Sequence, residues 1–195
     1  IIKPDKGSGA SMTYRISSDE ELKRFFDTAP ADVEFIAEDY VEGDMYTYDG
    51  LIDREGNILF DSCTLYGQSV MDVVNNESHM HYISLPVFPE EVREIGTKVV
   101  SAFGVEEKFF HLEIFREKES GKLMPLEMNM RPPGAWMTDA INFTHDTDIY
   151  RAWANLVVHG KADVPGKGKY FTAFANRRNV KDYLHSHDDI IDRLN

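Results

Sequence analysis

The sequence predicts an α+β protein in which a small α+β unit is followed by a larger antiparallel sheet flanked by helices. Three features carry that reading. The chain opens on a short apolar run, a glycine-rich loop and a capped helix. Alternating stretches then recur with turn residues between them, and helical stripes of apolar residues separate the later ones. The third feature is the pair His111-Leu-Glu113-Ile-Phe115 and Leu123-Met-Pro-Leu-Glu127-Met-Asn129-Met-Arg131, which read as two strands of one hairpin.

Taken in order, Ile1 to Lys3 is a strand, and Lys3-Pro-Asp-Lys6-Gly7-Ser8-Gly9-Ala10-Ser11 is a loop leading to a second alternating stretch, Met12 to Ile16. Glycines at 7 and 9 allow close backbone approach to a ligand, and successive N–H groups in such a loop form a nest for phosphate oxygens. The loop is neither a P-loop nor a dinucleotide fingerprint, and a plain Gly-Ser-Gly hairpin connection is the competing reading. Ser17-Ser18-Asp-Glu20-Glu21 is a capping box, after which Leu22, Phe25 and Phe26 stripe a helix that Pro30 stops. Val33 to Val41 reads as the next strand.

Met45 to Asp53 and Asn57 to Tyr66 form a hairpin through Arg54-Glu55-Gly56. Gly67 to His79 is a long polar loop of the kind that carries substrate contacts, and His79 and His81 lack a third ligand that would make them a metal site. Pro89 to Phe103 is a helix with Val92, Ile95, Val99 and Phe103 on its apolar stripe and Gly104 after it. Beyond the acidic hairpin, helices are expected at Ala135 to Phe143 and Asp148 to His159, the latter burying Ile149, Trp153, Leu156 and Val157. A strand at Tyr170 to Ala175 and a short polar helix after Asn179 complete the chain. The expected division is 1–41, 42–163 and 164–195.

A net charge of −13, from 34 acidic and 21 basic residues, argues against a nucleic-acid backbone or an anionic membrane as partner. The single Cys63 excludes an internal disulfide and suits a reducing, cytoplasmic setting, with the thiol as a small buried hydrophobe. The opening Ile-Ile-Lys3-Pro, without an initiator Met, reads as an entry partway into a larger protein.

The chemistry concentrates in the hairpin. Read with a period of two, Glu127, Asn129 and Arg131 share one face while Met124, Leu126, Met128 and Met130 share the other. A three-residue turn at Glu119-Ser120-Gly121 sets Glu113 opposite Glu127, whereas a two-residue Ser-Gly turn puts them on opposite faces; the first register is preferred. Facing carboxylates repel unless a proton or cation joins them, and an amide oxygen from Asn129 makes an all-oxygen set suited to Mg²⁺ or Mn²⁺. Arg131 follows on the same face, able to hold an anionic group. The competing reading is an amphipathic hairpin whose polar face meets water.

The order of these parts resembles the ATP-grasp superfamily, nearest to biotin carboxylases and carboxylate-amine ligases, whose Glu-x-Asn-x-Arg signature is matched by Glu127, Asn129 and Arg131. The resemblance runs from Lys3 to about Gly160. It implies an ATP-grasp fold with a small lid subdomain. It also implies that Lys3, Lys6, Gly7, Ser8, Gly9 and Ala10 hold the ATP phosphates and that Glu38, Asp39, Tyr40 and Val41 form the adenine hinge. Glu113, Glu127 and Asn129 would hold magnesium, and Arg131 would steady the transferred phosphoryl group. Where many members carry a ribose-binding acid this chain has Met45, with Glu42 or Asp44 as substitutes. The implied activity is ADP-forming activation of a small carboxylate as an acyl phosphate for attack by an amine or other nucleophile. A non-catalytic nucleotide-binding module, or a biotin carboxylase or carbamoyl-phosphate-synthase-like fragment, is the alternative. The family's amino-terminal region is expected to be missing, so the chain alone should fold without turnover, and an apolar docking edge would favour homo-oligomers.

Overall fold

The computed structural model describes residues 1–6, 12–68, 73, 78–164, 166–179 and 181–194. Gly7, Ser8, Gly9 and Ala10 lie outside them, as does most of the long loop after Gly67. In chain order the elements are β1 (Ile2–Pro4), α1 (Asp19–Thr28), β2 (Phe35–Ala37), β3 (Gly43–Ile52), β4 (Ile58–Tyr66) and β5 (His81–Leu85). They continue with α2 (Glu90–Ala102), β6 (Lys108–Glu117), β7 (Leu123–Asn129), α3 (Met137–His145), α4 (Ile149–His159), β8 (Thr172–Ala175) and α5 (His187–Leu194). β1 and β2 make a small antiparallel sheet, and six strands in the order β7-β6-β3-β4-β5-β8 make a large one.

In the small unit Ser18 caps α1 by accepting from the Glu21 N–H, while the Glu21 carboxylate accepts from Ser17 N at 2.7 Å. Phe25 is the one buried residue of α1 and stacks edge-on with Phe35 and Tyr14. Phe26, expected on the same stripe, is 71% exposed. The stretch Met12 to Ile16 is reduced to a single bridge between Ile2 and Tyr14, and the expected strand Val33 to Val41 shortens to β2, because a turn in which Val33 N donates to Pro30 O takes its first residue and residues 38–42 form an irregular connection.

The two faces of the large sheet differ. On one, Tyr48, Cys63, Phe110, Leu112 and Ile114 pack under α2, which contributes Val92 and Val100. The buried face of α2 centres on Val92, Gly96 and Val100, with Ile95 and Val99 of the predicted stripe packed partly buried against the same cluster, while Phe103 points away and is 56% exposed. Glycine at 96 is required by contact, since a Cβ there would overlap the Tyr48 ring. On the other face two apolar clusters flank a polar centre. Leu51, Phe60 and Phe109 meet Ile141 and the α4 residues Ile149, Ala152 and Leu156, while Met45, Tyr66 and Tyr82 meet Met137 and Ala140. Val157 of α4, expected inside, is 52% exposed. Strand β5 had no signal because its pattern is inverted, with Tyr82 and Ser84 buried and His81 and Ile83 exposed.

The register of the acidic hairpin is reached by a different route from the expected one. Glu117 N donates to Lys122 O at 2.9 Å, so the connection is Lys118 to Gly121, one residue longer than predicted, with Gly121 left-handed at φ 69°. A bulge between Glu113 and Ile114 then restores Glu113 opposite Glu127, leaving Leu126 as the extra residue. The bulge reverses the parity of the strand above it. Met124 lies opposite Phe115, on the same face as Glu113, and not on the opposite face as simple alternation predicts.

Gly96→Ala should lower stability by about 1–3 kcal/mol, against the gain of up to about 1 kcal/mol that alanine brings to an ordinary helix position. Urea unfolding of the two proteins checks this, and an equal or higher midpoint for the variant would show that Tyr48 does not depend on that gap.

Candidate functional site

The strand registers lay two polar rows across the large sheet. Asn129, His111, Asp49 and Ser62 are successive cross-strand partners on β7, β6, β3 and β4. Beside them run Glu127, Glu113, Thr47, Thr64, Ser84 and Thr172. The β7 end of the rows is open: Glu127 is exposed, and Glu113 and Asn129 are half-buried. Away from β7 the rows pass under cover, and Thr47, Asp49, Ser62, Thr64 and Ser84 are fully buried. Thr138 on α3, also fully buried, belongs to the helix that shares both flanking clusters.

The acidic pair is therefore placed as expected, and Asn129 joins it, its Nδ2 donating to Glu127 Oε1 at 2.8 Å. The side chains that hold Glu113 from behind were not anticipated. Asp49 and His111 meet at 2.6 Å, and the other ring nitrogen of His111 is 3.5 Å from Glu113 Oε1. Thr47 donates to the second Asp49 oxygen at 2.5 Å. Burial opposes a charge on His111, but the Asp49 charge and hydrogen bond, helped by Glu113, outweigh it and raise the pKa to about 10. At neutral pH the ring is an imidazolium and donates from both nitrogens. Asp49, Glu113 and Glu127 against His111 leave a net charge of −2 at this corner, which a divalent cation matches. Among the described residues no group of three or more His, Cys, Asp or Glu side chains is arranged to hold a metal by itself. An ion here would rest on two carboxylates, the Asn129 amide and oxygens from a ligand.

Of the two missed residues, His111 had a signal in the sequence, standing two positions before Glu113 on the same face. Asp49 had none. Polar residues alternating along a strand read as a solvent-facing surface, and only the register shows Asp49 beside His111.

The remaining predicted residues fall in separate places. Lys3 and Glu38 form an ion pair at 2.6 Å on the small sheet. The Glu38 backbone is occupied as well, its N–H and C=O both bonded to Ile1. Asp39, Tyr40 and Val41 are the connection to β3, with the Arg15 guanidinium 3.9 Å over the Tyr40 ring. Lys6 is exposed at the edge of the glycine-rich loop. Arg131, also exposed, donates to the Pro132 carbonyl at 2.9 Å, just before Ala135, which adopts a left-handed φ of 51°. Met45 is buried among Tyr66, Tyr82 and Met137 and is a core residue. Of its suggested substitutes, Glu42 is paired with Lys118 at 2.8 Å. Among the described residues His79 and His81 fall in no group of three or more potential metal ligands, and His79 packs 5.5 Å from the Tyr183 ring. No helix among the described residues is long and apolar enough to cross a membrane.

A family model described as an ATP-grasp domain matches residues 1–140. Among solved structures, the chain is similar to an L-amino acid ligase from Bacillus licheniformis, with a TM-score of 0.60 and 19% identity over 81% of this chain and 38% of that one. It is similar to a Rhizobium etli pyruvate carboxylase (TM-score 0.62, 18% identity, 85% of this chain and 16% of that one). A third is the phosphoribosylaminoimidazole carboxylase ATPase subunit from Aquifex aeolicus, with a TM-score of 0.55 and 15% identity over 89% of this chain and 44% of that one. The chain thus spans less than half the length of each of these three proteins. No curated protein matches it.

His111→Leu should destabilise the fold by about 3–5 kcal/mol, because it leaves the Asp49 carboxylate buried and unpaired. Adding Asp49→Leu to the same protein should recover part of that loss. Denaturant unfolding of the single and double variants measures both, and a double variant less stable than the single would count against the pair as the seat of the effect.

Proposed function

Because the chain belongs to the ATP-grasp family, we propose that it is the nucleotide- and metal-binding part of an ADP-forming ligase that activates a small carboxylate for attack by an amine or other nucleophile. One observation carries the proposal: Glu113 and Glu127 face each other across two strands, with Asn129 alongside and a buried Asp49–His111 pair fixing the first of them. In this reading the nucleotide lies between the small sheet and the open end of the polar rows. Lys3, Lys6 and the glycine loop 7–10 neutralise phosphate charge. Tyr40 and Val41 pack on adenine. The Glu38 N–H is already held by Ile1, so a hinge N–H must come from the residues after it, while the Glu38 carbonyl keeps a second lone pair.

Lys3 begins paired with Glu38, and a triphosphate must draw its ammonium away. Magnesium or manganese, when bound by Glu113, Glu127 and Asn129, neutralises the phosphates. Phosphoryl transfer asks the protein for position and charge compensation more than for covalent work. Arg131 is the residue for the transferred group: it lies two residues beyond Asn129 and its guanidinium is held by a single carbonyl among the described residues, so it can turn to a phosphoryl or acyl phosphate oxygen. Carboxylate oxygen attack on the γ-phosphorus gives the acyl phosphate and ADP, and the nucleophile then displaces phosphate.

Glu127→Gln should raise stability slightly in metal-free buffer, because it removes one of two facing like charges, and should abolish the stabilisation by Mg²⁺ with ATP. Thermal unfolding with EDTA, and then with Mg²⁺ and ATP, checks both signs; a variant stabilised like the parent by Mg²⁺-ATP removes the carboxylate pair from the metal site. In a protein extended toward the rest of the ligase, the nucleotide product with a carboxylate panel should be ADP with phosphate. Chromatographic detection of AMP and pyrophosphate instead would refute transfer of the γ-phosphoryl group.

A further inference from the structure

Strand β5 pairs with β4 only along Cys63 to Tyr66, so the first half of β4 is left uncovered on that side. A cleft of about 660 Å³ lies there, bounded by α2, the end of α3 and the loop at Gly166-Lys167-Gly168. None of its lining residues belongs to the nucleotide and metal site proposed above, and the inference does not rest on that proposal.

The cleft combines fixed charge, an orphaned imidazole and apolar walls. Arg93 donates from Nε to Asp61 at 2.7 Å and from Nη1 to Glu90 at 2.7 Å, with its guanidinium 4.3 Å over the Phe88 ring. Its Nη2 and the Lys167 ammonium have no partner among the described residues. Arg93 is balanced by Asp61 and Glu90, so Lys167 is the lining cation with no carboxylate partner among the described residues. His145 lies at the bottom, 3% exposed, its ring 4.8 Å from that of Phe60 and nearly perpendicular to it. Neither ring nitrogen has a hydrogen-bond partner among the described residues. Burial lowers its pKa, and the Gly166 backbone and the Asp61 charge, which favour the protonated ring, only partly offset it. A ring nitrogen left without a partner at this depth is costly, and a ligand hydroxyl bonded to it removes that cost.

We infer that this cleft is a second small-molecule site, and that it takes a short carboxylate with a neighbouring hydroxyl group. Arg93 and Lys167 meet the carboxylate, the hydroxyl bonds one ring nitrogen of His145, and Phe60 and Phe88 wall the short carbon chain. Asp61, already bonded by Tyr48 at 3.1 Å and by Arg93, sets the Arg93 guanidinium and repels dianions.

The test follows the His145 ring signals in long-range ¹H–¹⁵N spectra, assigned with His145→Asn, while L-lactate is added. The expected result is a saturable shift with a Kd on the order of 1 mM. Acetate, which lacks the hydroxyl, should bind about tenfold more weakly, and so should lactate to Lys167→Ala. Methylammonium should not shift the signals. In Glu127→Gln the lactate isotherm should be unchanged, which separates this site from the proposed metal pair. A shift that does not saturate, acetate binding equal to lactate, or a response lost in Glu127→Gln overturns the inference. Should His145→Asn fail to fold, calorimetry of lactate with the parent and with Lys167→Ala decides, since Lys167 is exposed and its removal spares the core.

Discussion

The contact between Asp49 and His111 sets the terms for the rest of the molecule. A carboxylate with no exposed surface is tolerated only with a partner, and the partner available is an imidazole on the adjacent strand, 2.6 Å away. Satisfying that pair fixes the β3–β6 register, and the register in turn places Glu113 level with Thr47 and within reach of the far side of the His111 ring. The flanking clusters seal the pair from water at both ends, with α3 contributing to each. The sheet is thus organised from a charged centre outward, with its apolar residues displaced to the margins of that face and to the whole of the other.

This arrangement explains what sequence reasoning could and could not reach. The acidic hairpin, the capped helix α1 and the helix after Pro89 were legible because caps, turn glycines and apolar stripes act locally. The strand β5 and the buried row of hydroxyls were not, since Ser62, Thr64 and Ser84 look like solvent-facing residues until the neighbouring strands and helix are in place. Helix faces failed in a related way. Phe26, Phe103 and Val157 are apolar by composition but lie on helix surfaces that nothing among the described residues covers, whereas Gly96 is central to its interface because it is small enough to admit an aromatic ring.

The hairpin register shows how a correct placement can rest on compensating differences. The turn is one residue longer than the three-residue loop, which alone would misalign Glu113 and Glu127. The bulge at Leu126 takes up that residue and realigns them. Two sequence features had to be read together for that outcome, and only the turn glycine had a visible signature. At under 20% identity the likeness to the three solved structures is one of fold, while most side chains differ.

Strand β7 carries Glu127 and Asn129 and is also the outermost strand of its sheet. An outer strand offers unpaired backbone groups to any chain that can dock along it, which is a hazard at high protein concentration. Pro125 removes one of those N–H groups near the middle of the strand, and the bulge beside it bends the backbone out of the straight line a docking strand would need. The same features that aim the carboxylates also protect the sheet from growing by accretion. A replacement of Pro125 would therefore leave the acidic groups in place while making the protein prone to assemble edge to edge.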